Sequence, residues 1–441
     1  MRKYKYVSLT NYFLSGLGII LLGILLIIDN GELYLRAIHL LLFFFLLVGV
    51  SKLITSFFKP IEKRKEKRII SFIEILIAIL LFIFQDISLS IMPFLFGIYL
   101  ILQCLVKVIN YILYRRNNIK GRWKELFFAT WFLLFGITFF FSPLLHLSTV
   151  LKIIGIYLIL LGLGEWIQLL KEVIPKKIKK KFKRSFRITL PAIIEAFLPR
   201  KMLREINRYL NDQEEITKEN CEIEKNNKEV DLEILIHLSE KGFNQFGHMD
   251  FVIDNKVISL GNYDRSSFCL GESIGDGVLF ESPKDKYIPF CIKRSNKTII
   301  GFGLSLTNKE KELVLKEYEN IKKDVFPWDP SVKNNEKRRY SEEEKRKLDY
   351  ASALYLDTKA KFYKFNKGEF KTYFVLGKNC SAFADRIIGK SGTHLVKMSG
   401  ILSPGTYLDY LEDEFYRKNS MVVSKTIYHK SWTEKEKITK L

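Results

Sequence analysis

The chain has 441 residues and a formal net charge of +22, with 70 lysines and arginines against 48 acidic residues. This length accommodates two or three domains. The charge suits either a nucleic-acid-binding protein or a membrane protein with basic cytoplasmic loops, and the positions of the bases favour the second class. The five cysteines are odd in number and include no CxxC pair, which argues against a disulfide framework and against a zinc site.

The first 170 residues are dominated by Leu, Ile and Phe and contain six long apolar segments. A helix of about 20 apolar residues crosses the hydrocarbon core of a bilayer. We therefore predict transmembrane helices at residues 9–28, 34–57, 69–86, 89–113, 125–142 and 147–170. No signal-peptide cleavage site follows the basic start MRKYKYVSLT, so the first apolar segment is interpreted as a membrane helix.

The loops between these segments alternate in charge. Basic loops occur at 59–68 (KPIEKRKEKR), at 114–124 (YRRNNIKGRWK) and at 171–187, where nine bases accompany one acid. The intervening loops 29–33 (DNGEL) and 142–148 (SPLLHLS) carry no Lys or Arg. Because positive loops stay on the cytoplasmic side, both termini are predicted to be cytoplasmic in a multi-pass protein of the cell membrane.

The predicted helices contain an internal repeat. GIYLILQCLVKVI at 97–109 matches GIYLILLGLGEWI at 155–167, and LFFFLLVGVSKLI at 42–54 is a weaker copy. Such spacing predicts an all-α bundle of six helices built from three hairpin repeats. This half resembles the HdeD-type family of small bacterial membrane proteins, which are built from similar glycine-containing hairpins. The resemblance implies an architecture and no mechanism.

Four charged residues fall inside the predicted helices, namely Lys52, Glu74, Lys107 and Glu165. All lie five or six residues from a cytoplasmic helix end, where snorkelling or Glu–Lys pairing explains them. No chain of acids marks a transport path, which argues against a pump or carrier.

A basic connector follows the last helix. Residues 171–187 are predicted to bind a lipid bilayer through its anionic headgroups. In the next helical segment, Met202, Leu203 and Ile206 share one apolar face. Such a helix lies in the membrane interface or packs on the soluble domain, and the sequence favours neither alternative.

The remaining residues have the pattern of an α+β domain. Strands occur near 232–239 and 298–307, and a hairpin at 248–261 turns at Asp254 and Asn255. A helix near 308–326, a second hairpin near 361–377, and helices after Asn379 and Ser403 follow. An antiparallel sheet with segregated helices is expected. We therefore predict a transmembrane domain at 1–170, a juxtamembrane connector with an amphipathic helix at 171–230, and a cytoplasmic α+β domain at 231–441.

Cys380 is the candidate nucleophile of this domain. It follows Asn379, a favourable N-cap residue, and opens a helix directly after a strand. The positive end of a helix dipole lowers the pKa of a thiol. A thiol nucleophile also needs a base within hydrogen-bond reach, and His248, early on a strand, is the best-placed histidine. A small buried structural cysteine is the competing interpretation.

The segments GHMDFVIDNKVIS and GKNCSAFADRIIG resemble circularly permuted NlpC-type (papain-like) thiol hydrolases, relatives of lecithin:retinol acyltransferase. The resemblance implies a permuted papain-like α+β fold with Cys380 as nucleophile and His248 as base. It also implies a third polar residue on the next strand, for which Ser259 is the nearest match. Many relatives have His or a carboxyl group there, so Asn262 and Asp264 are the possible substitutes.

The leading hypothesis is a membrane-anchored, cytoplasmic-facing thiol hydrolase or acyltransferase that acts on an unidentified amide or acyl bond through the Cys–His pair. The alternative is a non-catalytic membrane protein for stress tolerance or scaffolding, whose soluble domain binds a ligand. The sequence predicts no cofactor, no metal and no nucleic-acid partner, and it does not fix the oligomeric state.

Overall fold

The architecture is taken from a computed structural model of the chain. It describes residues 9–28, 31–56, 61–141, 143–173, 185–188, 197–211, 222–224, 228–239, 247–295, 297–335, 340–341, 344, 347–391, 393–396, 402–417 and 420–429. The chain divides into two compact units, and each is described by itself. One comprises Thr10–Ile112 and Gly121–Leu169, and the other contains Leu170–Leu441 together with Leu113–Lys120.

The first unit is helical. Its helices are α1 Leu9–Ile28, α2 Glu32–Ser56, α3 Ile61–Ile83, α4 Gln85–Arg116, α5 Arg122–Phe141 and α6 Pro143–Val173. Four stretches are long and apolar enough to cross a membrane: Tyr34–Ile54, Leu89–Arg116, Arg122–Phe141 and His146–Gly164.

The predicted spans at 9–28 and 69–86 are not among these four. Helix α1 has 20 residues and no charge, and Phe13–Ile28 is its apolar stretch among the residues whose side chains the structure describes. Helix α3 begins in the charged sequence IEKRKEK, so only its second part is apolar. At 1.5 Å per residue, about 15 apolar residues of α3 reach about 22 Å, so a hydrocarbon core of about 30 Å must thin locally for α3 to span it.

Glycines allow close helix contacts in this unit. A Cβ atom on Gly23 of α1 would lie 2.6 Å from the carbonyl oxygen of Gly155 of α6. A Cβ atom on Gly97 of α4 would lie 3.0 Å from the carbonyl oxygen of Gly136 of α5. Larger side chains would separate these backbones, so the repeated glycines have a packing role typical of membrane helices.

Three of the four charged residues predicted inside the helices form ion pairs. The Lys52 ammonium lies 2.7 Å from the Glu74 carboxylate on the next helix, and Lys107 lies 2.9 Å from Glu125 on its next helix. Lys52 and Lys107 occupy equivalent repeat positions, so Glu–Lys pairing explains both. The side chain of Glu165, at the third equivalent position, lies outside the described residues.

The second unit is an α+β structure. Its helices are α7 Leu198–Asn211, α8 Lys284–Ser295, α9 Asn308–Lys322, α10 Tyr350–Thr358, α11 Cys380–Ile388 and α12 Pro404–Tyr416. Its strands are β1 Ser185–Ile188, β2 Glu222–Glu224, β3 Leu232–Leu238, β4 His248–Ile253, β5 Lys256–Gly261, β6 Ile274–Asp276, β7 Val278–Pro283, β8 Thr298–Leu304, β9 Val325–Pro327, β10 Lys361–Phe365, β11 Thr372–Phe374, β12 Thr393–Val396 and β13 Val422–Tyr428.

Nine of the strands form one antiparallel sheet, in the order β2-β13-β8-β3-β4-β5-β7-β10-β9. Strands β1 and β12 form a separate parallel pair, and β6 pairs with β11 in another small sheet. Buried side chains of α7, α9, α11 and α12 pack on one face of the main sheet, and those of α8 and α10 pack on the other. Helices therefore cover both faces, whereas segregated helices were predicted.

The two predicted hairpins have different outcomes. Strands β4 and β5 pair in antiparallel register and turn at Asp254 and Asn255, whose φ angles of 48° and 58° suit a tight turn. The hairpin predicted near 361–377 is not formed. Its first strand, β10, pairs with β7 and β9 in the main sheet, whereas its second strand, β11, pairs with β6. The turn between them, which includes Gly368 at a φ of 92°, directs the chain out of the main sheet.

Helix α7 is the amphipathic helix of the connector, for which the sequence allowed either a place in the membrane interface or packing on the soluble domain. Its residues Leu203 and Ile206 are buried in the core of the α+β unit, and the helix contacts β3 and α12. This amphipathic face packs on the domain. Most of the basic run 171–187, and residues 212–221 of the connector, lie outside the described residues.

Candidate active site

Cys380 is held at the first turn of α11 by its neighbour Asn379. The Asn379 Oδ1 atom accepts a hydrogen bond from the Ala382 backbone N–H at 2.9 Å, which caps the helix. The Asn379 Nδ2 atom donates to the carbonyl oxygens of Val375 and Leu402, each at 2.7 Å. The thiol is therefore fixed at a buried helix N-terminus, since the cap joins three segments of chain.

His248 is the first residue of β4, and this strand contacts α11. Its imidazole is within hydrogen-bond reach of the Cys380 thiol, as is the backbone of Met249. The structure thus brings together the predicted nucleophile and the predicted base. The His248 side chain keeps 17% of its surface exposed, so the pair lies at the edge of the core.

Ser259 on β5 also contacts His248. Its Oγ atom lies 3.0 Å from His248 Nε2, and the Tyr263 hydroxyl lies 3.1 Å from the same nitrogen. The two hydroxyls are 2.8 Å apart and hydrogen-bond to each other. Both hydroxyl oxygens therefore lie next to Nε2 of the imidazole.

A carboxylate that the sequence analysis did not select lies beside this histidine. Asp250 is two residues further along β4, so both side chains point to the same side of the strand. Its Oδ1 atom is 2.8 Å from His248 Nε2, an ion-pair distance. Its Oδ2 atom accepts a hydrogen bond from the Tyr287 hydroxyl at 2.7 Å and lies 2.7 Å from His237 Nε2.

The electrostatics favour a charged Cys–His pair. Burial opposes a charged imidazole, but the negative charges of Asp250 and Cys380 raise the pKa of His248 to about 10. Burial likewise opposes a thiolate, but the charge and hydrogen bond of His248 lower the pKa of Cys380 below its ordinary value. The pKa of Asp250 lies well below its usual range, because His248 and His237 outweigh the effect of burial.

Two hydrogen-bond donors converge beside the sulfur. The Tyr373 hydroxyl on β11 lies 3.9 Å from Cys380 Sγ. The backbone N–H of Cys380 lies beside the same hydroxyl. A hydroxyl and an amide next to a nucleophile can stabilise an oxyanion that forms there.

The other candidates are engaged elsewhere. Asn262 donates to the Glu272 carbonyl oxygen, and Asp264 forms an ion pair with Lys364. Cys291 is buried, and burial raises its pKa to about 11, which keeps it a neutral thiol. Cys269 is exposed and lies outside the Cys–His cluster. Among the described residues, no group of His, Cys, Asp or Glu has a metal-binding arrangement.

Sequence reasoning missed Asp250, His237, Tyr263 and Tyr373. The spacing His-x-Asp on a strand is a usable signal for Asp250, because alternate residues share a face. His237 lies opposite His248 in the β3–β4 register, which becomes visible only once the pairing of these strands is known. The two tyrosines come from an adjoining loop and from the small sheet, and no spacing rule points to either.

Residues 69–141 match a protein family model described as a short repeat of unknown function (DUF308). The match covers helices of the N-terminal half and agrees with the HdeD-type resemblance of this half. No curated protein and no solved structure matches the chain.

Proposed function

We propose that the protein is a membrane-anchored thiol hydrolase or acyltransferase with Cys380 as nucleophile and His248 as general acid–base. The supporting observation is that the Cys380 thiol and the His248 imidazole are adjacent, with the buried carboxylate of Asp250 2.8 Å from the imidazole. A thiol nucleophile, a base and a group that orients the base are the three parts of a nucleophilic catalytic unit. Ser259, predicted for the third role, shares it with Asp250.

The proposed reaction has two stages. The Cys380 thiolate attacks the carbonyl carbon, a C–S bond forms, and the oxyanion is stabilised by the Tyr373 hydroxyl and the Cys380 N–H. The tetrahedral intermediate collapses, the bond to the leaving group breaks, and His248 donates its proton to that group. Neutral His248 then deprotonates water or another acceptor, which attacks the thioester and releases the acid or the transferred acyl product. The Cys380 thiolate and the His248 imidazolium are restored.

The membrane half supports an anchored enzyme. We propose that the six helices form a transmembrane bundle of three hairpins, with both termini cytoplasmic, and that the α+β unit has the permuted papain-like fold. On that side of the membrane, the candidate substrates are acyl chains of bilayer lipids and amide bonds of cytosolic molecules.

The test uses the full chain in detergent micelles with chromogenic thioester, carboxyl ester and amide reporters. We expect turnover of at least one reporter class and its loss in Cys380→Ala. Cys269→Ala, which removes an exposed thiol outside the Cys–His cluster, is the matched control and should retain wild-type turnover. Equal turnover in Cys380→Ala and wild type would refute the assignment of Cys380 as the nucleophile. The alternative, a membrane protein whose soluble domain binds a ligand, would then remain.

A further inference from the structure

The catalytic proposal gives no role to the buried polar side chain of His237. His237 on β3 is 1% exposed, in a strand whose seven residues are all buried. Within the described part of the chain, neither of its ring nitrogens makes a hydrogen bond of good geometry. A buried polar group that lacks a good hydrogen bond is costly, and an apolar side chain would fill the same space without that cost.

His237 contacts the carboxylate of Asp250, which also lies beside the proposed catalytic base His248. The His237 Nε2 atom lies 2.7 Å from Asp250 Oδ2, although the angle departs from that of a good hydrogen bond. The same oxygen accepts the Tyr287 hydroxyl hydrogen at 2.7 Å. Two side chains thus contact Oδ2, and Oδ1 lies 2.8 Å from His248 Nε2, also without the geometry of a good hydrogen bond.

We propose that His237 is a positioning residue for the reaction, which acts by holding the Asp250 carboxylate in the orientation that keeps His248 charged and Cys380 ionised. This inference rests on the proposed Cys380–His248 pair. His237 acts on the thiol through Asp250, whose Oδ2 atom it contacts, and its ring centroid lies 5.6 Å from that of His248. The result is a chain of four side chains: Cys380, His248, Asp250 and His237.

The charges around His237 support the neutral form of its ring. The titratable groups that face it are Asp250 and His248 from β4, Tyr287 from α8, and Lys297 from the start of β8. Burial, with smaller effects of Lys297 and His248, lowers the pKa of His237 to about 4. At neutral pH the ring is therefore uncharged, so it can turn an N–H toward the carboxylate without cancelling the charge of Asp250.

Removal of His237 has a predictable direction. A buried carboxylate with fewer contacts on Oδ2 binds a proton more readily and can rotate away from His248. Protonated or rotated, Asp250 no longer stabilises the imidazolium, and the Cys380 thiolate loses its counter-ion. The ionisation of Cys380 then moves to higher pH.

The experiment measures the rate of Cys380 alkylation by iodoacetamide against pH, on the full chain in detergent, with the labelled peptide identified by mass spectrometry. His237→Phe removes both ring nitrogens, and we expect the inflection to rise by about one pH unit and the rate at pH 6 to fall about 10-fold. His237→Gln keeps an N–H near the Nε2 position and should restore the rate to within about threefold. Tyr287→Phe removes the other donor to Oδ2 without adding volume, so it gives a second test with the same expected direction.

Unchanged pH profiles in His237→Phe and Tyr287→Phe would overturn the proposal. Equal rate losses in His237→Phe and His237→Gln, with no shift of the inflection, would also overturn it, because they indicate a packing role. The assay follows thiol ionisation and requires no turnover. A protein that fails to hydrolyse any reporter but shows the shift would refute the proposed function and leave the positioning role of His237 intact.

Discussion

The carboxylate of Asp250 is predicted to control the ionisation of Cys380, and Asp250→Asn tests this directly. The substitution keeps the size of the side chain and removes its charge. At 2.8 Å from His248 Nε2, a full charge contributes about 6 kcal/mol at an effective dielectric constant of about 20. One pKa unit corresponds to about 1.4 kcal/mol, so the upper limit is about 4 units. Because Asn still contacts the ring, we expect the pKa of His248 to fall by about 2 to 3 units.

This change reaches the thiol through the imidazole. With a pKa of about 10, His248 is charged at pH 7, and that charge lowers the pKa of Cys380. A fall of about 2 to 3 units, to about 7 to 8, makes the imidazole a weaker acceptor of the thiol proton, so less of the Cys380–His248 pair is charged and the thiol pKa returns toward its ordinary value of about 8.5. The thiolate fraction at pH 7, and with it the alkylation rate, should fall about 10- to 100-fold.

The assay is iodoacetamide labelling at a series of pH values, followed for the Cys380 peptide. The exposed Cys269 in the same molecule is an internal reference that should label alike in both proteins. Glu281→Gln is the matched control, because Glu281 is also a buried carboxylate but contacts Tyr318 and Lys322. A Cys380 rate and pH profile in Asp250→Asn equal to those of the wild type would refute the electrostatic account.

Three further predictions concern the site, the pH dependence of stability and the membrane helices. Ser259→Ala should lower reporter turnover by less than about 10-fold, because Asp250 remains; a loss above about 100-fold would make Ser259 the main orienting group. In the unfolded chain His237 is protonated below about pH 6.5, whereas in the folded protein its pKa is about 4. The free energy of unfolding should therefore decrease by up to about 3 kcal/mol as the pH is lowered from 6.5 to about 4. Denaturant titration should show that His237→Phe lacks this decrease. Gly23→Ala should lower the unfolding temperature in detergent, because the added Cβ would lie 2.6 Å from the backbone of the facing helix. Gly18→Ala is the control and should leave this temperature unchanged, because nothing lies within 4 Å of its added Cβ. Equal unfolding temperatures in the two variants would show that the glycine contact does not stabilise the protein.

The helical half could be read largely from composition. The helices were located from the length of the apolar segments and from the repeat at 42–54, 97–109 and 155–167. Both signals lie in continuous stretches of sequence, because a membrane helix is marked by an unbroken run of apolar residues. The pairing of Lys52 with Glu74 followed from the expectation that a charge in an apolar helix needs a partner. The span at α3 was harder to predict, because charged residues at the start of the helix reduce its apolar length.

The α+β half was predictable where signals are local. The turn at Asp254 and Asn255 and the helix starts at Cys380 and Pro404 carry turn and cap residues within a few positions. Helices α8 and α10 were missed, since α8 contains Pro289 and α10 has only nine residues. The prediction of a hairpin formed by β10 and β11 was wrong, because a strand–turn–strand pattern does not reveal that each strand pairs with a different partner.

The site divides in the same way. Cys380 and His248 have local signals, a cap and a strand position, and the spacing between His248 and Asp250 is local too. His237, Tyr287 and Tyr373 come from three separate elements, and only long-range pairing and packing bring them to Asp250 and Cys380.

The central claim is that Cys380 forms a covalent acyl-enzyme, and the most direct test is the intact mass of the full chain after brief incubation with an acyl p-nitrophenyl ester. We predict the mass of one added acyl group, located by peptide mapping at Cys380, absent in Cys380→Ala and slower to form in His248→Gln. An unmodified wild-type protein, or an acyl group found on Cys269 as readily as on Cys380, would contradict the assignment of Cys380 as the nucleophile.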